Sequence, residues 1–77
     1  MPPRLPEQDD EREALIAFGK RVKELRKAKG WNQEELAFKA GLDRTYVSGI
    51  ERGIRNVSFV NIHRLAVALN VDLLGDN

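Results

Sequence analysis

The chain has 77 residues, a formal charge of +1, no cysteine and one histidine. About half of the ~150-residue domain prior leaves room for one core and not two, and so short a chain buries only about 60% of its unfolded surface, which favours help from a partner subunit. Without cysteine there is no disulfide and no thiolate metal site, one histidine does not build a metal centre, and no apolar run approaches the ~18 residues of a membrane span.

Residues 1–10 read as a flexible arm, because Pro2, Pro3 and Pro6 cannot enter a helix interior and nothing apolar repeats. The start is proline-rich and acidic rather than a signal peptide, so a soluble, cytoplasmic protein is expected. Residues 11–77 read as a single domain. Asp10, three residues before Glu13, is a possible cap for a first helix from about Glu11 to Lys29, with Leu15, Phe18, Val22 and Leu25 on one apolar stripe and Gly30 ending it.

Trp31-Asn32-Gln33-Glu34-Glu35-Leu36 specifies a second helix start: Asn32 caps, Glu35 closes the capping box and Trp31 staples onto Leu36. Gly41 stops this helix. Leu42 and Asp43 repeat the device for a third helix, which reaches Glu51 or Arg52 before Gly53. Val57 and Ser58 repeat it for a fourth, which should carry Ile62, Leu65, Ala66 and Leu69 inward. Asp72 is positioned to cap a last turn at Leu73 and Leu74. No alternating strand pattern occurs. The expected fold is therefore all-α, a compact bundle of four to five helices around a central helix-turn-helix.

The stretch from Gln33 to Arg52 carries that motif. Ala37 is small where the next helix must cross closely, and Gly41 supplies the turn. Leu36, Ala40, Leu42, Val47 and Ile50 should face a shared core, leaving Arg44, Thr45, Ser48 and Arg52 on the outer side of the third helix, with Tyr46 beside them. Charge is distributed to match. Residues 20–64 hold eleven basic and five acidic side chains, a net +6, while the flanks sum to −5. Such a basic body attracts nucleic acid locally even when the whole molecule is nearly neutral.

Over roughly residues 15–74 the chain resembles the phage-repressor and Cro type of helix-turn-helix family, with its lambda-repressor-like fold. The run Leu42-Asp43-Arg44-Thr45-Tyr46-Val47-Ser48-Gly49-Ile50-Glu51-Arg52-Gly53, followed by Arg55-Asn56, looks most like the controller proteins of restriction–modification systems. The resemblance implies a dimeric transcriptional regulator on a palindromic double-stranded DNA operator. It implies that Gln33 caps the second helix against a phosphate and that Arg44, Thr45, Tyr46 and Ser48 face the groove. It places Arg55, Asn56 and the start of the fourth helix, with Ser58 and Asn61, at or near the DNA backbone, and it pairs Glu51 with Arg26 as a structural ion pair. Arg52, also near the DNA backbone, reads as a backbone-capping or salt-bridged residue rather than a base reader. Val57 stands where the wider family often has proline, and the tail after Asp72 is short for a fifth helix.

The chemistry of these positions fits that reading. Arginine donates two parallel bonds to guanine O6 and N7, and Arg44 starts the helix whose N-terminal end enters the groove in this motif. Thr45 suits a thymine methyl or a phosphate. Tyr46 offers a donor too, though packing on the loop before the fourth helix is an equal alternative. Leu69, Val71, Leu73 and Leu74 have too little core to fill and are expected at a homodimer interface. Competing readings are an antitoxin- or phage-type repressor, and a protein-interaction module without DNA; the latter calls for an acidic or apolar outer face on the third helix. No catalytic set, metal site, cofactor or small-molecule ligand is expected.

Overall fold

The computed structural model describes residues 8–73. Its four helices run α1 (Gln8–Ala28), α2 (Gln33–Ala40), α3 (Arg44–Glu51) and α4 (Phe59–Leu69), with no strand among the described residues. None of them is long and apolar enough to cross a membrane. Residues 1–7 of the expected arm and Leu74 of the expected dimer surface lie outside the described residues.

The helix starts follow the local chemistry. Asn32 accepts from the Glu35 N–H at 2.8 Å while the Glu35 carboxylate accepts from the Asn32 N–H at 2.8 Å, completing the capping box. Asp43 caps α3 through the Thr45 N–H, and Ser58 caps α4 through the Asn61 N–H. Trp31, Leu42 and Val57, each just ahead of its cap, pack half-buried against the core. Trp31 also draws two ammonium groups to its ring, with Lys29 Nζ at 5.7 Å and Lys39 Nζ at 5.0 Å from its centre.

Two boundaries differ from expectation. Helix α1 begins at Gln8, so residues 8–10 of the expected arm are helical and Asp10 lies inside the helix instead of capping it. Acidic Asp10 and Glu11 in the first turn favour this extension, because the amide end of the helix dipole attracts negative charge. At the other end α4 closes on Asn70 in the left-handed conformation, φ 57° and ψ 45°, with the Val71 N–H bonded to the Ala66 carbonyl at 3.0 Å. Residues 71–73 follow in non-helical backbone, so the described bundle has four helices and not five. Asparagine tolerates this conformation and closes the helix without a glycine.

The core is one cluster in which Val22, Leu36, Val47, Ile50, Leu65 and Leu69 are fully buried. Burying each such side chain stabilises the fold by about 1.5–3 kcal/mol. Helix α1 packs on α3, while α2 packs on both α3 and α4. The α1–α3 crossing is so close at Gly19 that any side chain there would run into the Ile50 carbonyl oxygen. Ala37 and Ala40, both small, are buried where α2 faces its neighbours.

Candidate nucleic-acid interface

The α2–turn–α3 unit is held at both ends. At the turn, Gly41 sits at φ 70° and ψ 35°, which lets the Leu42 N–H bond the Ala37 carbonyl at 2.8 Å. Arg64 of α4 reaches the Gly41 carbonyl at 3.5 Å. At the far end, Arg26 of α1 donates Nε to Glu51 Oε2 at 2.7 Å and Nη2 to Glu51 Oε1 at 2.9 Å. Its remaining nitrogen, Nη1, donates to the Trp31 carbonyl at 2.7 Å. This bidentate pair is buried, and the hydrogen bonding to the Glu51 carboxylate, together with its charge, raises the Arg26 pKa against the opposing effect of burial.

Gln33 belongs to the same network. Asn32, not Gln33, is the N-cap of α2, and Gln33 Nε2 donates to Glu51 Oε1 at 3.0 Å. Glu51 therefore has bonds from two helices that converge on the last turn of α3. The expectation that Gln33 caps its helix is corrected on this point, because its side chain turns back toward the buried carboxylate. One further hydrogen of the amide nitrogen remains to donate.

With Val47, Ile50 and Glu51 turned inward, the opposite arc of α3 is left to solvent. Arg44, Thr45 and Arg52 are exposed and Ser48 is half-buried beside them. Arg44 is the first residue of the helix, and the neighbouring Asp43 carboxylate is engaged by the Thr45 N–H at 2.9 Å. Guanidinium groups at both ends of a short polar strip, with hydroxyls between them, suit hydrogen-bond acceptors such as base edges and phosphates.

Tyr46 sits at the edge of that strip and is half-buried. Its hydroxyl donates to the Asn56 carbonyl at 3.2 Å and accepts from Asn61 Nδ2 at 3.1 Å. It thus packs on the loop before α4, the alternative that the sequence left open. Asn56 and Asn61 are drawn together by it, and Ser58 joins Asn61 in the α4 cap. Arg55 is exposed, and its guanidinium lies 5.8 Å from the Tyr46 ring centre. Sequence reasoning missed why Arg55 comes so near α3. Its stem lies over Gly49, a helical glycine whose only signal is that it interrupts the helix with a poor helix former.

The expected dimer residues separate. Leu69 is fully buried within its own chain, so it is not available to a partner. It falls on the arc of α4 shared by Leu65, which the core already fills. Val71 and Leu73 are half-buried against that core. The apolar groups that α4 does expose are Phe59, Val60 and Val67, at 71%, 57% and 65% of their full accessibility, with exposed His63 among them.

Known proteins share this arrangement. The helix-turn-helix family matches residues 22–75. A Neisseria hypothetical transcription factor from Neisseria meningitidis serogroup B is 48% identical over 71 residues, covering 92% of this chain and 64% of its relative, so the chain spans slightly less than two thirds of that protein. The crystal structure of the restriction–modification controller protein C.AhdI from Aeromonas hydrophila superposes with a TM-score of 0.76 at 60% identity, over 78% of this chain and 91% of the other. The controller protein C.Esp1396I, seen as a tetramer in complex with its natural 35-base-pair operator, superposes with a TM-score of 0.72 at 40% identity, over 78% and 79% of the two chains. The chain therefore belongs to the helix-turn-helix family, in which the restriction–modification controller proteins stand among its relatives.

Proposed function

We propose that this protein is a sequence-specific DNA-binding transcriptional regulator, a restriction–modification controller that acts as a homodimer on a palindromic operator. The observation that carries the reading is the outer arc of α3, where Arg44, Thr45, Ser48 and Arg52 are presented on a helix whose other side is locked into the core. Its controller relatives, one of them crystallised on operator DNA, support the same reading. In this role Arg44, Thr45 and Ser48 meet base edges. Tyr46 holds the following loop in place. Gln33, Arg52, Asn56, Ser58 and Asn61 lie along the flanking phosphates, where the N-terminal ends of α2 and α4 already favour an anion, and Arg55 lies near the DNA beside them.

A module using this bundle only to bind protein would present an acidic or apolar α3 arc, and this one is basic and polar. The protein works without catalytic chemistry and in the cytoplasm, where its DNA is. The second subunit covers Phe59, Val60 and Val67 of α4, with Val71 and Leu73 close by; Leu69 supports this face from within. One domain reads few base pairs, so two copies related by a two-fold axis read half-sites about 10 bp or a multiple apart.

Selection of bound sequences from random duplex DNA tests the proposal. The expected product is a palindrome with salt-sensitive affinity and a large preference over scrambled DNA. Recovery of no enriched sequence, with the protein folded, overturns it.

A further inference from the structure

Gly49 stands in the middle of α3, and its backbone is ordinary right-handed helix. A left-handed conformation therefore does not explain the residue, and glycine is the poorest helix former after proline. Space explains it. A methyl group added to Gly49 would lie 2.5 Å from Arg55 Cγ, 3.4 Å from Nε and 3.5 Å from Cδ, so the whole Arg55 stem runs along this helix. The close atom is Cγ, near the Arg55 backbone. Turning only the tip of the side chain does not relieve that clash.

The backbone delivers Arg55 to this position. The Ile54 N–H bonds the Gly49 carbonyl at 3.0 Å and the Gly53 N–H bonds the Ile50 carbonyl at 3.0 Å, which folds the chain sharply back over the end of α3. Tyr46 lies one turn earlier on the same edge of the helix. Its hydroxyl, bonded to Asn56 and Asn61, holds the ring where the Arg55 guanidinium rests over it. Stem and head of one exposed arginine are thus both supported, by a vacancy and by an aromatic face.

We propose that Gly49 is a positioning residue that, with Tyr46, seats Arg55 so that its guanidinium joins Arg44, Thr45 and Ser48 in a single DNA-reading surface. The inference rests on the function proposed above and adds to it a specificity device that reaches beyond α3 itself. An exposed arginine ordinarily loses rotamer freedom when it binds, and a seated one has already given up part of it.

A double-mutant cycle with Gly49→Ala and Arg55→Ala, read on the selected duplex and on scrambled DNA, tests this. Arg55→Ala should weaken binding to the selected duplex by about 5- to 150-fold, the range of one good arginine–base contact. Gly49→Ala should lose a comparable share, and the double variant should be no weaker than Arg55→Ala alone. The seat is also read without DNA. The Arg55 γ and δ proton signals in NMR should carry a ring-current shift from Tyr46, lost in Gly49→Ala and in Tyr46→Leu.

Losses that multiply in the double variant, or a Gly49→Ala protein that binds as tightly as wild type, overturn the proposal. If Gly49→Ala fails to fold, Gly49→Ala/Arg55→Ala should fold again because the obstructing stem is gone; a double variant that stays unfolded also overturns it. A wild-type protein that selects no duplex defeats the proposed function, while the Arg55 shifts still decide whether the seat exists.

Discussion

Arg26 and Glu51 lie 25 positions apart in the sequence, yet the guanidinium of one grips both carboxylate oxygens of the other, at 2.7 and 2.9 Å. The contact joins α1 to the last turn of α3 and gathers Gln33 and the Trp31 carbonyl into the same network. It sets the angle at which α3 presents its outer arc.

Removing one partner leaves a charge buried without its counterpart. Arg26→Ala is expected to destabilise the fold by about 3–5 kcal/mol, which lowers the melting temperature of a domain this size by at least about 12 °C. Replacing both partners with apolar residues, as in Arg26→Met/Glu51→Leu, should cost less than Arg26→Ala. Differential scanning calorimetry orders the two variants, and the reverse order would contradict a desolvated pair. The pH dependence follows from the raised Arg26 pKa. The folded state holds this proton more tightly, so its stabilisation is complete below the ordinary arginine range and fades only as pH rises through it. The contribution of Arg26 to the melting temperature should be level through neutrality.

Gly19 faces a carbonyl oxygen, not a side chain that can move. Gly19→Ala gains helix propensity but overpacks the α1–α3 crossing, and it should destabilise by about 1–3 kcal/mol. Urea denaturation measures this. A variant as stable as wild type would mean that α1 and α3 separate at little cost.

Arg44 is expected to read a base. Arg44→Ala should lose about 1–3 kcal/mol on the selected duplex and relax preference at one base pair of each half-site. Competition binding against singly substituted duplexes checks it. An equal loss on selected and scrambled DNA would place Arg44 on the sugar-phosphate backbone.

On α4, neighbouring residues should behave oppositely. Val67→Glu puts a charge on the exposed apolar face and should shift sedimentation toward monomer with the fold intact. Leu69→Ala empties a fully buried site and should cost about 2–5 kcal/mol without acting on a dimer directly. A Val67→Glu protein that remains dimeric at micromolar concentration would move the interface elsewhere.

Much of the fold is legible before any coordinates, because its signals are local. Asn32, Asp43 and Ser58 satisfy the first amides of their helices from within three residues, and Gly30, Gly41 and Gly53 mark where helices stop. Periodicity identifies Val22, Leu36, Val47, Ile50 and Leu65 as core, and it leaves the α3 arc of Arg44, Thr45 and Ser48 facing out. The polar residues at the start of α1 are ambiguous for the same reason: acidic groups serve equally as caps and as first-turn residues, and Gln8 rather than Glu11 begins the helix.

What the sequence determined by itself is therefore the set of helices, their caps and the polarity of each face. Tertiary structure decided the contacts between residues distant in the chain. It turned Leu69 inward and left Val67 outside, since the width of the α4 core stripe depends on what α2 and α1 bring against it. It bent Gln33 toward Glu51 and laid Arg55 across Gly49, because a side chain's partner is set by how helices cross and loops return, and short-range pattern holds no record of either.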